Sequence, residues 1–336
     1  MTATLTSSTT ATPAVAPGDA ERRDRVRRLP KAEGHVHLEG CLELDLLHRW
    51  SRAAGRGIPV VPCGATERHV EAVLEAACGL VAAADDLAEL AYRVAQRQDR
   101  AGSVAADLLV NPRHWSGWRQ DVPTLLDALD AGFRAAEADG LPPVGLCVSL
   151  LRSQTAGEAA ELVELLVERR HPRVVALSVD GDEALSGRTS PRFVTAFRRA
   201  ASAGLRRVVH AGAATGPEGV ADALDLLHAD RIDDGILAVA DPALVDRLAS
   251  ANIPLGVCPT SNVTLGAVPS LAAHPIDALR RAGVSVSVNT DDPVLLGTDL
   301  LTEYLLCADA FGWEDDVLFA MCAASLRGCM TWRARQ

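Results

Sequence analysis

The sequence predicts an α/β protein built as a single (β/α)8 barrel of the TIM type, with a helical insertion after the first strand. Three observations predict it. Short β-rich runs alternate with long Ala-, Leu-, Arg- and Glu-rich segments of helical period along most of the chain. Runs such as Val-Gly-Leu-Cys-Val-Ser-Leu at 144–150 and Val-Val-Ala-Leu-Ser-Val at 174–179 are nearly continuously apolar, as strands of a parallel sheet covered on both faces must be. The length of 336 residues suits one α/β barrel, and no linker divides it into two domains. A doubly wound open sheet is the competing architecture.

The elements follow in order. Residues 1–28 begin Thr/Ala/Pro-rich and end in a charged lead-in, with no apolar run of the kind a secretory signal needs; they read as a disordered tail before a barrel at 29–336. Strands are expected at 34–38, 106–111, 144–150, 174–179, 207–210, 235–239, 254–258 and 284–289. The segment 51–101, helical by composition, separates the first two strands and is placed to cover the barrel mouth.

Composition narrows the function. Hydrophobic residues make up 48% and aromatics only 4%, enough aliphatic material for a sizeable core. With Lys+Arg 33 against Asp+Glu 44 the net charge is −11 and no basic stripe exists, so nucleic acid is not an expected partner. No run of 18 apolar residues exists to span a membrane. The eight cysteines are dispersed without a Cys-x-x-Cys pair, which points to reduced thiols in a cytoplasmic protein and away from a cysteine-based zinc site. Neither a Gly-x-Gly-x-x-Gly after the first strand nor a phosphate-cradling Gly-x-x-x-x-Gly-Lys-Ser/Thr occurs. A small molecule is the expected partner.

Polar residues unsuited to a core collect just after the strands, where a barrel builds its site. In Gly34-His35-Val36-His37-Leu38-Glu39-Gly40 the alternate histidines share one strand face and converge on one point; two satisfied strand-end histidines are the alternative. His210 after the fifth strand and Asp291 after the eighth complete three nitrogen ligands and one oxygen ligand. His35, His37, His210 and Asp291 thus suit one divalent ion, Zn2+ ahead of Fe2+, with a position open for water. The adjacent Asp292 points off that direction, to orient a substrate or take a proton, or else to cap the loop before Pro293.

These segments, together with Pro30-Lys31-Ala32-Glu33-Gly34, Asp241-Pro242-Ala243-Leu244-Val245, Val257-Cys258-Pro259-Thr260-Ser261-Asn262-Val263 and Gly297-Thr298-Asp299-Leu300, resemble the adenosine deaminase family of the amidohydrolase superfamily. The resemblance runs from about residue 29 to about 326. It implies a (β/α)8 barrel, one Zn2+ on His35, His37, His210 and Asp291, and hydrolytic removal of an amino group from a purine ring. It also implies that Glu39 contacts a polar substrate tail, a barrel-rim salt bridge being the alternative, and that Gly181 approaches the substrate.

The departures are selective. The family's His-Ala-Gly-Glu, whose glutamate protonates the ring nitrogen, reads His210-Ala211-Gly212-Ala213, and the histidine of Arg-Ile-Gly-His-Gly is Asp234 in Arg231-Ile232-Asp233-Asp234-Gly235. The family's Asp-Leu-Ala-Gly-Asp-Glu is Ser178-Val179-Asp180-Gly181-Asp182-Glu183, an arginine expected in the second strand is Leu109, and the Phe-rich lid is Val73-Leu74-Glu75-Ala76-Ala77-Cys78-Gly79-Leu80. All four metal ligands remain while proton transfer and ring recognition change. Asp234 is then a general base, a contact for an amino or cationic group, or a carboxylate supporting a ligand histidine. Asp233 reads as a solvent-side loop residue, Trp115 or Trp118 as a stacking face or as packing, and Cys258 as packing. His48, His69, His114, His171, His228 and His274 default to structural roles.

The expected function is a metal-dependent hydrolase in which metal-bound water attacks a C–N bond of a modified nucleoside or other small nitrogenous compound, poor on adenosine itself. Competing readings are a metal-dependent lyase or cyclase, an inactive ligand-binding homologue, and a true adenosine or adenine deaminase that uses Asp234.

Overall fold

Eight strands pair in chain order, each parallel to the next: β1 Lys31–His37, β2 Ser103–Val110, β3 Val144–Leu151, β4 Val174–Asp180, β5 Arg206–Ala211, β6 Arg231–Asp234, β7 Leu255–Val257 and β8 Val286–Val288. The computed structural model describes residues 17–61, 67–189 and 191–336. β3 is buried along its whole length, and β2 and β4 nearly so, which is why these strands read as continuous apolar runs. A parallel bridge between Val36 and Asp291 brings β1 against the end of β8 and all but closes the barrel. There Asp291 N–H donates to the His35 carbonyl (3.1 Å) and His37 N–H to the Asp291 carbonyl (2.8 Å), so closure itself sets a carboxylate between two histidines.

Helices between the strands bury one stripe against the sheet. The insertion after β1 consists of α2 Leu44–Ala54, α3 Glu67–Cys78 and α4 Ala84–Arg100. In α4, Leu87, Leu90, Ala91, Val94 and Ala95 form the buried stripe, with Asp85 and Asp86 in the first turn and Arg97 and Arg100 in the last, matching the helix dipole at both ends. The helix Val122–Ala138 packs so closely on α4 that a Cβ at Gly132 would lie 2.0 Å from the Ala88 carbonyl oxygen. The helix Ala156–Arg169 starts on a reciprocal Thr155–Glu158 capping box.

Two expectations are corrected. The sixth strand is Arg231–Asp234, and 235–239 falls instead in a 3-10 turn, Ile236–Ala240, entered through Gly235 at φ 71°. The apolar Ile-Leu-Ala-Val pattern outweighed the charged Arg-Ile-Asp-Asp run, whose charges are neutralised inside the barrel. The second concerns residues 17–28, which form helix α1 (Pro17–Arg28) rather than part of a disordered tail, with Arg22 paired to Asp309 and Arg25 to Asp315. Residues 1–16 lie outside the described residues.

Candidate active site

The strand C-termini bring the predicted residues together. At β1 the pairing register with β2 is irregular between Glu33 and Val36, and Asn289 Oδ1 accepts from both Gly34 N–H (2.8 Å) and His35 N–H (3.1 Å). Beyond this point His35 and His37 project together, with ring centroids 5.5 Å apart, and His210 from β5 lies 5.1 Å from His35. Ligand nitrogens of His35, His37 and His210 fall within 4.8 Å of one another. Asp291 Oδ1 stands 3.4 Å from His35 Nε2 and 3.3 Å from His37 Nε2, its other oxygen accepting from Ser261 Oγ (2.6 Å).

Tautomer and charge follow from the partners. His35 Nδ1 lies 2.8 Å from the Gly256 carbonyl, so it carries the hydrogen, while Nε2 is buried without any hydrogen-bond partner and offers a lone pair whenever the ring is neutral. Cys258 Sγ lies 3.3 Å from Nδ1, on the side of the ring already satisfied by the Gly256 carbonyl. Burial alone would lower the His35 pKa, but Cys258, Asp233 and Asp291 hold it well above its ordinary value. Asp291 is held well below its own: burial opposes ionisation, and the adjacent His35, joined by the charges of His37 and His210, overcomes it. The Asp291 oxygen beside the His35 and His37 nitrogens, the clustering of His210 with those two rings and the orphaned His35 Nε2 together make a donor set that fits a divalent ion.

Asp234 ends β6 in the left-handed region at φ 67°, as Asp291 does after β8 at φ 64°. Aspartate tolerates that conformation better than most residues, and here it turns both carboxylates into the barrel mouth. Both Asp234 oxygens are taken: Oδ2 lies 2.6 Å from His210 Nε2, and Oδ1 accepts from Asn262 Nδ2 (2.9 Å). Asn262 Oδ1 in turn faces His274 Nε2 at 3.0 Å, whose Nδ1 receives the Ile276 N–H (3.1 Å). Burial lowers the His274 pKa to about 4, so it is a neutral donor and the chain runs in one direction, from His274 through Asn262 to Asp234. Burial against the Asp234 charge leaves His210 raised to about 9.

The remaining assignments divide. Asp292 is buried with Oδ1 unpartnered, and a Cβ at Gly40 would lie 2.1 Å from that atom, so only glycine at 40 admits it. Burial, then Asp291 and Glu39, raise its pKa well above the ordinary carboxylate value. Among the described residues Glu39 forms no rim salt bridge: it is 1% exposed, accepting from Asn111 N–H (2.8 Å) and Trp115 Nε1 (2.7 Å). Gly181, at φ 96°, lines the cleft over the cluster, about 530 Å3 with its open mouth, beside Glu39, Asp180 and His114. The insertion covers it through Val70, Glu71 and Leu74 of α3.

Three readings change and one is narrowed. Asp233 is fully buried, its Oδ1 accepting from Arg231 Nε at 2.8 Å, because the guanidinium of the same strand faces the same way two residues earlier. Of the two readings of the tryptophans, packing holds and stacking does not: Trp115 is fully buried on Glu39 and Trp118 donates to the Val81 carbonyl. His114 and His274, expected as structural, belong to the site, one on the cleft wall and one behind Asp234. Asp180 was missed as a site residue; its neighbour Gly181 was the signal. Glu183 explains the loop after β5, since its carboxylate accepts from the successive N–H groups of Gly212, Ala213, Ala214 and Thr215.

A parallel eight-stranded barrel with a histidine–carboxylate cluster at its C-terminal mouth defines a metal-dependent hydrolase of the deaminase type. The adenosine deaminase family model matches residues 30–333, and the chain belongs to that family, within the amidohydrolase superfamily. It is 35% identical over 290 residues to an aminodeoxyfutalosine deaminase of Streptomyces avermitilis, covering 83% of this chain and 80% of that protein. An adenine deaminase structure from Arthrobacter aurescens superposes with a TM-score of 0.84 at 27% identity, covering 91% of this chain and 95% of that one. An amidohydrolase from Burkholderia ambifaria with bound Zn superposes at 0.82 and 28% identity, covering 94% of this chain and 91% of that one.

Proposed function

We propose that this chain hydrolyses a C–N bond of a modified nucleobase, nucleoside or other small nitrogenous ring, and that adenosine is a poor substrate. The observation that carries the reading is the contrast within one site. The cluster of His35, His37, His210 and Asp291 is intact and leaves His35 Nε2 orphaned, whereas position 213 offers only a methyl group and position 234 a carboxylate already bonded on both oxygens.

His35, His37, His210 and Asp291 would hold the ion, and Zn2+ suits their three nitrogens and one oxygen. When bound, such an ion supplies a Lewis acid and a water of lowered pKa. The chain's own groups do the rest. Asp292, one residue beyond Asp291, takes and returns the proton at Oδ1. Gly181 lets the substrate approach the backbone, and Glu39 receives one of its polar groups. Asp234 is a positioning residue, holding His210 through the chain that begins at His274.

The test is elemental analysis of purified protein joined to an ammonia-release assay. The expected result is about one divalent ion per chain, lost in His35→Ala, with adenosine turned over at least ~10³-fold more slowly than by a family member carrying the glutamate and histidine, since each proton-transfer group is worth roughly 10²–10⁴-fold. Less than a tenth of an equivalent after zinc or iron supplementation would defeat the metal assignment. Ordinary family turnover of adenosine would defeat the reading of Ala213 and Asp234.

A further inference from the structure

We propose that the cleft selects a substrate whose nitrogenous group is positively charged, an amidinium, a guanidinium or an N-alkylated aminoheterocycle, and that Glu39 and Asp180 make the selection. The inference rests on the hydrolase reading above and names the substrate class of the same site.

Asn111, just beyond β2, ties the two carboxylates to one point. Its N–H donates to Glu39 Oε1 (2.8 Å) and its side-chain amide to Asp180 Oδ1 (2.9 Å). The second oxygens, Glu39 Oε2 and Asp180 Oδ2, are buried and have no hydrogen-bond partner, although the two residues are only 1% and 3% exposed and both line the cleft. Burying a carboxylate oxygen unpaired is costly, and the cost is recovered when a donor, best a cationic one, arrives. His37 Nδ1 lies 3.8 Å from Asp180 Oδ2, within ion-pair range but beyond hydrogen-bond distance, so the oxygen still lacks a donor.

The surroundings point the same way. Glu71 and Asp182 add two further carboxylates to the lining, and no Lys or Arg stands among the described lining residues. His114, the one lining imidazole outside the metal cluster, lies 3.5 Å from Glu71. An anion brought against Glu39 and Asp180 meets like charge, whereas a cation there meets complementary charge. Asp180 also directly precedes Gly181, where the backbone opens at φ 96° onto the cleft. Hydrolysis of an exocyclic C–N bond needs positive charge on the substrate, and Ala213 has no proton to give. A cationic substrate brings that charge with it. The reaction balances without a further reagent: RC(=NH2+)NHR′ and water give RC(=O)NHR′ and NH4+, the water oxygen forming the new C–O bond as the C–N bond breaks and its electron pair leaves with nitrogen.

The test uses the full-length zinc-loaded protein, calorimetric titration and matched probes: benzamidine against benzamide, and 1-methyladenosine, cationic at neutral pH, against adenosine and adenosine 5′-monophosphate. At low salt each cation is expected to bind at least tenfold more tightly than its neutral partner, and the monophosphate at least tenfold more weakly than adenosine. The preference should shrink at high salt. Asp180→Asn and Glu39→Gln should each pull the cation-to-neutral ratio toward one, with zinc content showing that the barrel is intact. Ratios near one in the wild type, or wild-type ratios kept in both zinc-loaded variants, would overturn the inference. Ammonia release is scored separately. Cation preference with no ammonia from any probe leaves this inference standing and defeats the hydrolase reading; deamination of neutral adenosine without cation preference does the reverse.

Discussion

Toward the strand N-termini, Arg231 lies fully buried in the barrel with a partner for each of its nitrogens: Nε on Asp233 (2.8 Å), Nη1 on Asp107 (2.5 Å), Nη2 on Asp233 and the Gly34 carbonyl. Asp107 also accepts from Met330 N–H, Thr331 N–H and Thr331 Oγ1, which fastens the chain's last helical turn to the barrel floor. Toward the C-termini the charges are as deeply buried, yet Glu39, Asp180, Asp292 and His35 each keep one polar atom without a partner. β6 serves both ends, giving Arg231 and Asp233 to the floor and Asp234 to the mouth. Buried charge on the floor completes the protein; buried charge at the mouth waits for a ligand.

The sharpest way to break this contrast is to remove one floor carboxylate. Asp107→Ala leaves Arg231 buried and short of a counter-ion and unfastens Thr331, so stability should fall by about 3–5 kcal/mol. Urea denaturation measures it. A loss under about 1 kcal/mol would mean that floor and mouth do not differ.

The mouth should respond in the opposite sense, and pH exposes it. In chelator-treated protein Asp292 retains, in the folded state, a proton that the unfolded chain has released, because burial and the neighbouring Asp291 and Glu39 raise its pKa. Stability is then lost as pH rises above the ordinary carboxylate range toward the folded-state pKa, by at most about 1.4 kcal/mol per pH unit. Asp292→Asn abolishes that slope and should be the more stable protein at pH 7. Parallel stability curves for the two proteins between pH 5 and 7 would assign the slope to another group.

How much of this was legible in the sequence also differs between the two ends. The His-x-His pair, His210 and Asp291 were readable because strand alternation and the C-terminal face of a barrel fix where such side chains meet. Asp233 was not: a carboxylate inside a barrel is intelligible only with Arg231 two residues away and Asp107 on β2, a pairing 124 residues apart in sequence. The sixth strand was missed for the same reason, since its charges are balanced by partners elsewhere. Asp180 and His114 escaped because what marks them is an unpartnered oxygen or a place on the cleft wall, properties of the folded chain. His274 acts on His210 only through Asn262 and Asp234, and no spacing in the sequence announces a three-step relay.

The relay yields a smaller effect. Asp234→Asn keeps the shape but removes the charge beside His210 Nε2, and loss of such a supporting carboxylate typically costs 10–100-fold in metal affinity. Zinc affinity by chelator competition should fall within that range at pH 7. An unchanged affinity would show that the contact is incidental to the metal cluster.

The smallest expected effect comes from trying to return the mouth to the family pattern with Ala213→Glu and Asp234→His together. The intact cluster and Asp292 are already in place, and groups that act as a unit must be restored as a unit, so neither single change should suffice. The double variant should gain measurable ammonia release from some purine nucleoside, about tenfold over wild type or less. Three features of the chain limit it. A glutamate introduced at position 213 would enter a loop whose N–H groups already converge on the Glu183 carboxylate, so two like charges would share one turn. The histidine at 234 could not reproduce both of the contacts Asp234 makes to His210 and Asn262. Leu109 and Asp180 would remain, and a displacement of about 1 Å at the reacting atoms can itself cost on the order of 10²-fold. The measurement is ammonia release from a panel of neutral purine nucleosides by wild type, both single variants and the double, with zinc content determined for each. No gain in a folded, zinc-loaded double variant would place the divergence in the carboxylate-lined wall rather than in the proton-transfer pair. A gain well above tenfold would show that the wall still admits a neutral purine and that positions 213 and 234 alone separate this mouth from its relatives.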